Sequence, residues 1–461
     1  MKKRLILILA LTFVAAFAFA AYAEVQNVKV SGDITVLGLS RQLSLLPTIA
    51  QVRNEESAMA SIARVRIDAD LTDNVMTTVR LINERYWGNE TNNTNDNANT
   101  DIQLDLAYVT LKEFLYSPLS LTIGRQELHF GNDMIVGDPD TNNAASTASN
   151  FSANNRDRDL SARKAFDAIR ATLNYDPLVI DAIAAKITDT NLSTQDDRDL
   201  YGINANYKLG GKYDTVLEGY WFERRSGRRN ALATTILTPK KVDRTDTIGA
   251  RISLAPIESL KLDAEAAYQF GKYIPDTVGQ DMHTVQRKAW AIETSATMDF
   301  KKAKYTPSLK MLYAYFSGDH RFGTYDTDMG AYKGWDPMFE NQTTGHIFNA
   351  LFNQTNAHVL GGAISMKPVE DITLKGEFYG YWWAQAPQDG TLVNTARDTA
   401  TNLNLRQRRD IGQELDLTAI YDYTEDVQFS LMSGTFFPGG TFAKDNNSMA
   451  SEVIGSMKVT F

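Results

Sequence analysis

Between Leu260 and Phe270 the chain alternates. Leu262, Ala264, Ala266, Tyr268 and Phe270 take one parity, and Lys261, Asp263, Glu265 and Gln269 take the other. Successive side chains of a strand point to opposite sides, so this reads as a strand with one apolar and one polar face. The same pattern sets Ile372, Leu374, Phe378 and Trp382 against Thr373, Lys375, Glu377 and Tyr379. It sets Ile411, Leu415, Leu417 and Ala419 against Asp410, Glu414, Asp416 and Thr418, and Ile102, Leu104, Leu106 and Tyr108 against Asp101, Gln103 and Asp105. At the carboxyl end Val453, Gly455, Met457, Val459 and Phe461 alternate with Ile454, Ser456, Lys458 and Thr460. A soluble sandwich also alternates, but its strands run about 5–6 residues, whereas tilted membrane strands need roughly 9–11. The lengths favour the membrane, with Phe461 in an aromatic girdle.

The connections alternate as well. Short links are expected at Asp70–Asn74, Tyr116–Leu119, Asp176–Pro177, Gly210–Lys212, Pro256–Ser259, Lys301–Lys304, Pro368–Asp371 and Thr424–Asp426. Between them lie long polar stretches, including Asn89–Thr100, Gly131–Arg163, Ser226–Asp243, Gly318–Gln354 and Ala386–Leu405. Short periplasmic turns and long outer loops in succession mark outer-membrane barrels. The predicted fold is therefore all-β: an antiparallel transmembrane barrel of about 18 strands, with both termini on the periplasmic side and a lumen wide enough for an aqueous channel. The alternation is weak near Leu39 and Asp199. Gly131–Arg163 is too long for a connector, and the residues do not decide whether it enters the lumen or covers it.

The amino terminus changes the picture by giving an address. Lys2, Lys3 and Arg4 precede the apolar run Leu5–Ala20, and Ala21-Tyr22-Ala23 offers a cleavage site. Residues 1–23 read as an export signal, and residues 24–461 as one barrel domain in the bacterial outer membrane. No cysteine exists in the chain, so disulfides and thiolate metal sites are excluded. The net charge of −9 becomes more negative once the signal is lost, which excludes a general nucleic-acid binder. After the signal no apolar run is long enough for a helical span.

Projection onto the polar faces collects Arg64, Arg66, Arg80, Arg125, Arg170, Arg224, Arg251, Arg287, Arg406 and Arg408, together with Lys375. Carboxylates accompany them: Asp68, Glu84, Asp105, Glu218, Asp263, Glu265, Glu293, Glu377, Glu414 and Asp416. Either these charges pair laterally and line a generic wet wall, or some arginines stay unpaired and concentrate anions. Guanidinium matches carboxylates bidentately, which suits an acidic sugar polymer. Strict alternation from Leu121 and Ile123 aims Arg125 at lipid, where an arginine at midplane costs roughly 2–4 kcal/mol. A bulge at Gly124 is expected to turn it inward.

At this point the residues resemble a family. Ile123-Gly124-Arg125-Gln126-Glu127-Leu128, then Phe130-Gly131 and Val136-Gly137, is similar to the GRQ-E…G segment of the alginate export porins. Phe166-Asp167-Ala168-Ile169-Arg170 resembles the FDGVR strand that follows it, with Ala168 in place of the glycine. Gly412-Gln413-Glu414-Leu415-Asp416, with Phe436-Phe437-Pro438-Gly439, resembles the carboxyl-terminal segment. The resemblance implies a monomeric 18-stranded channel whose arginine-rich constriction passes anionic alginate outward. Arg125 and Arg170 carry over as lumen arginines; Glu127 matches the motif without a settled direction. The acidity of this chain departs from that pattern, so the resemblance supports a porin more than the polymer.

The expected function is passive diffusion of a hydrophilic, anionic or carbohydrate solute, without cofactor or chemistry. The alternative is a general or nutrient-uptake porin. An outer-membrane enzyme needs a nucleophilic constellation; of the five histidines (His129, His283, His320, His346, His358), His129 and His320 lie at strand-to-loop junctions and read as girdle or surface residues. An adhesin barrel is a further rival. Asp319, Asp326 and Asp328 read as solvated rather than as a calcium cage. Expected partners are outer-membrane lipid, the solute, and the barrel assembly machinery, whose recognition signal the terminal Phe461 resembles.

Overall fold

The computed structural model describes residues 27–43, 55–88, 102–140, 158–188, 197–228, 241–274, 284–320, 330–388, 391–394 and 402–461. The export signal, the Asn89–Thr100 loop, Asp101, His283, Asp326 and Asp328 lie outside these residues.

Alternating segments give the strands β1 (Asn27–Gln42), β2 (Glu55–Thr72), β3 (Val75–Tyr86), β4 (Gln103–Leu111), β5 (Leu119–Glu127), β6 (Ala165–Asn174) and β7 (Leu178–Thr188). There follow β8 (Arg198–Gly210), β9 (Thr215–Arg228), β10 (Lys241–Ile257), β11 (Leu260–Tyr273), β12 (Val285–Asp299) and β13 (Ser308–Phe316). The series ends with β14 (Ala357–Val369), β15 (Ile372–Trp383), β16 (Thr391–Asn394), β17 (Asn402–Leu405), β18 (Asp410–Asp422), β19 (Val427–Pro438) and β20 (Ala450–Thr460). Among the described residues, one α-helix, α1 (His346–Leu351), lies between β13 and β14.

Each wall strand pairs antiparallel with the next, β15 passing directly to β18, and β20 pairs with β1. The result is a closed 18-stranded barrel, with β16 and β17 as a separate hairpin in a loop. Closure removes the open edge that lipid cannot satisfy. Asp33 lies opposite Thr460 and Gly38 opposite Gly455 along the seam. Phe461 extends it: its N–H donates to the Gly32 carbonyl at 3.0 Å, and its carbonyl accepts from the Gly32 N–H at 2.8 Å. The short links fall where the alternation places them, and the long connections fall on the opposite end.

The outward parity is apolar and exposed, as at Val28, Val30, Leu374, Phe378, Leu415, Leu417 and Leu431. Two expected facings are reversed. Arg80 pairs with Leu106 and Leu81 with Leu104, so Asp105 is an extra residue, a bulge. Leu106 therefore turns inward and is buried while Leu104 stays exposed; Tyr108 follows it inward. The bulge brings Asp105 within 2.5 Å of Arg80, an ion pair that rewards the irregularity. Likewise Tyr381 pairs with Gly412 and Trp382 with Asp410, leaving Ile411 unpaired. Ile411 turns into the interior cluster with Tyr381 and Phe436.

Candidate functional site

Two loop segments occupy the lumen. The first, residues 129–140, leaves β5 and turns at Gly131, whose N–H donates to Glu218 at 3.0 Å. The Asn132 N–H donates to Glu265 at 2.8 Å, and its side-chain amide to Asp263 at 2.6 Å. The second runs from residue 330 to 356. The two join through a parallel bridge between Val136 and Phe339, with Phe339 N–H donating to the Ile135 carbonyl at 3.0 Å. Leu128, Phe130, Met134, Ile135, Val136, Trp335, Met338 and Phe339 are all buried against inward residues of the wall such as Phe166 and Phe222. Gly131–Arg163 thus enters the lumen over its described part. The Gly318–Gln354 segment also enters the lumen over its described part, because apolar residues such as Trp335, Phe339 and Phe348 within this otherwise polar stretch bury themselves there.

The second segment is held at two places. Asp336 accepts from Arg224 at 2.6 Å, from the Thr245 hydroxyl at 3.0 Å, and faces Arg287 at 3.5 Å, with Asp243 beside both arginines. Burial pushes the Asp336 carboxyl up, but Arg224 and Arg287 outweigh it and hold it at about 2. Farther on, Glu414 accepts from the N–H groups of Ile347 at 2.7 Å and Phe348 at 2.8 Å, at the start of α1. Gly345 precedes them with φ +83°, and a Cβ there would press on Glu414 and Tyr381, so glycine is required. Phe348 stacks on Tyr381 at 3.9 Å between ring centres.

Most of the expected lumen arginines are paired. Arg64 meets Asp33 at 2.9 Å, Arg66 meets Asp68 at 2.7 Å, and Arg80 meets Asp105 and Glu127, each at 2.5 Å. Arg170 meets Asp181 at 2.7 Å, and Arg251 meets Asp263 at 2.5 Å and Glu218 at 3.4 Å. Lys375 meets Glu377 at 2.6 Å. Lateral pairing is the rule, which is the blander of the two readings of the charges.

Three placements differ from expectation. Arg125 keeps the outward parity of Ile123, because the register runs unbroken through Gly124 on both sides. Gly124 does have φ +125°, but its effect is to let the Ala107 carbonyl approach where a Cβ would stand, without shifting the pleat. Arg125 is met on the same face by Asp167, at 2.8 and 2.6 Å. Glu414 faces inward but is fully buried beneath α1, so it anchors a loop rather than lining a water path. Arg406 and Arg408 lie after β17, exposed and off the wall strands. The first loop adds His129, raised by its hydrogen bond to Asp133 at 3.0 Å.

Beneath the joined segments lies a polar cavity of about 560 Å³. His129, Asn132, Gln342, Ser295, Thr297, Lys261 and Lys310 are among its lining residues. Gln342 donates to Glu293 at 2.6 Å. Among the described residues Lys261 and Lys310 make no ion pair, in contrast to the arginines above them. Neither lysine stood out in the sequence, although Lys261 already lay on a polar face.

Residues 48–456 match the family model described as alginate export. No match was found among curated proteins. Among solved structures, Pseudomonas aeruginosa OpdQ is similar with a TM-score of 0.53 at 11% identity, over 95% of this chain and 99% of its own. Pseudomonas aeruginosa OccK2 (OpdF) in complex with glucuronate gives 0.53 at 11%, over 95% and 99%. Pseudomonas aeruginosa OpdK with vanillate gives 0.51 at 8%, over 94% and 99%. At such identities the likeness is one of fold.

Proposed function

The chain belongs to the alginate export family, and from that premise we propose that this outer-membrane channel passes anionic, carbohydrate-like solutes by diffusion, without chemistry of its own. The observation that supports this reading is the cavity under the joined loops. Among the described residues its two lysines make no ion pair, although Asp133, Asp263 and Glu293 also line the cavity, and Ser295, Thr297, Asn132 and Gln342 add hydroxyl and amide groups to the same lining. A sugar acid offers a carboxylate for the first set and hydroxyls for the second. Glucuronate and vanillate, the ligands of OccK2 and OpdK, are carboxylates, and they illustrate the same chemistry in proteins of like fold.

Planar-bilayer recording tests the proposal. The wild-type channel under a salt gradient is expected to prefer anions about two-fold or more, and glucuronate or oligouronates to interrupt the current. Lys261→Ala with Lys310→Ala should move the reversal potential toward cations and shorten the uronate blocks. Cation preference in the wild type, or uronate blocks unaltered in the double variant, would overturn this reading.

A further inference from the structure

The barrel carries a second charged surface on the side that faces lipid. On the outward parity of β9, β10, β11 and β12 stand Arg225, Arg244, Lys272 and Lys288, all close to the long-loop ends of their strands. Parity fixes their direction: Ile248 and Ile252 on β10, Tyr268 on β11 and Trp290 on β12 share it and are exposed. Register then places Arg225 directly opposite Arg244, and Arg244 directly opposite Lys272. Lys288 lies opposite Phe270, two residues from Lys272. Like charges directly opposed across a sheet destabilise it. Three in succession on neighbouring strands therefore need an anionic partner.

The protein supplies part of one. Glu223 pairs with Arg225, and Asp246 accepts from Arg244 at 2.7 Å, with Glu223 at 3.8 Å from the same guanidinium. The Arg225 guanidinium also lies 5.4 Å from the Tyr201 ring. Lys272 and Lys288 make no ion pair among the described residues, so the patch keeps an excess of positive charge. Tyr268 and Trp290, one outward position below Phe270 and Lys288, are the residue types that sit at headgroup depth. The cations stand one step farther out, where the outer leaflet presents its headgroups.

We propose that this patch on β9–β12 binds the phosphate groups of a phosphorylated glycolipid of the outer leaflet, the Lys272 and Lys288 ammonium groups taking one phosphate and Arg244 and Arg225 flanking it. The acyl chains of that lipid lie along the apolar faces of Ile248, Ile252 and Tyr268. The patch is on the opposite side of the wall from the lumen, so lipid binding there is independent of the solute that the channel carries.

The test uses the full mature chain in detergent, with bisphosphorylated lipid A and its dephosphorylated counterpart as probes and native mass spectrometry as readout. Wild-type protein is expected to retain the bisphosphorylated lipid at least five-fold better. Lys272→Ala with Lys288→Ala should lose that preference while keeping heat-modifiable migration and wild-type single-channel conductance. Lys272→Arg with Lys288→Arg should retain it, as should a lumen-side control, Lys29→Ala with Lys458→Ala. Equal retention of the two lipids by the wild type, preference unchanged in the alanine variant, or displacement of the lipid by millimolar inorganic phosphate alone would each overturn the assignment.

Discussion

Asp336 keeps a charge that its surroundings alone would suppress. Burial favours the protonated carboxyl, and the guanidiniums of Arg224 and Arg287 reverse that preference. With an unfolded value of about 3.9 and a folded value of about 2, the group is depressed in the native state. Its stabilisation is complete above roughly pH 4 and is lost as pH falls toward 2, an effect on the order of 2 kcal/mol. Recordings taken stepwise from neutral pH are expected to be steady down to about pH 4 and to become noisy below it, as the second loop segment loosens. Asp336→Asn should show that noise already at neutral pH; a quiet variant would mean that this contact does not hold the segment. Arg125 gives the opposite kind of prediction. Because it shares the outward face with Asp167, Arg125→Ala is expected to leave conductance and reversal potential unchanged. A shift toward cations would put the side chain back in the lumen.

Most strands of the wall follow from period-two alternation, which is weak near Leu39 in β1 and Asp199 in β8, and so do the short turns, because a lipid-facing parity admits few exceptions. What alternation does not carry is a bulge. Asp105 and Ile411 each add a residue to one strand, and from there the parity of Leu106 and Ile411 reverses with no mark in the hydrophobic pattern. Glycine is an uncertain marker for the same event: Gly124 was expected to flip the pleat and does not. The loops were harder still. Ile347, Phe348 and Phe352 bury themselves against Tyr381, Trp383 and Phe436, contacts between segments distant in sequence that no local period encodes. The site residues were therefore legible as inward or outward far more than as paired or free. Glu414 makes the point testable. It accepts two N–H groups of α1, and a hydrogen bond contributes about 0.5–1.5 kcal/mol net. Glu414→Ala should free α1 and raise the open-channel conductance and its noise, with the folded barrel still resisting detergent. Unchanged conductance would show that α1 is held by its aromatic contacts alone.

At the scale of the whole molecule, the lumen arginines pair with the wall's own carboxylates. Arg64, Arg66, Arg80, Arg170, Arg224 and Arg251 each meet a carboxylate, so the proposed anion preference rests on cations without an ion pair among the described residues, Lys261 and Lys310 of the cavity foremost. The seam between β1 and β20 has a different consequence, one of timing. Every other wall contact joins neighbours in the chain, but Asp33 meets Thr460, closing a loop of ~430 residues at a conformational-entropy cost of about 5 kcal/mol beyond a constant. Gly38 against Gly455 leaves one position of that seam without side chains, while the buried Arg41 and Glu452 pair across it at 2.7 Å, a contact that forms only when both strands are already aligned. Closure is then the slow, late event of assembly, and until it occurs one molecule presents two unpaired edges that can capture each other or a neighbouring chain.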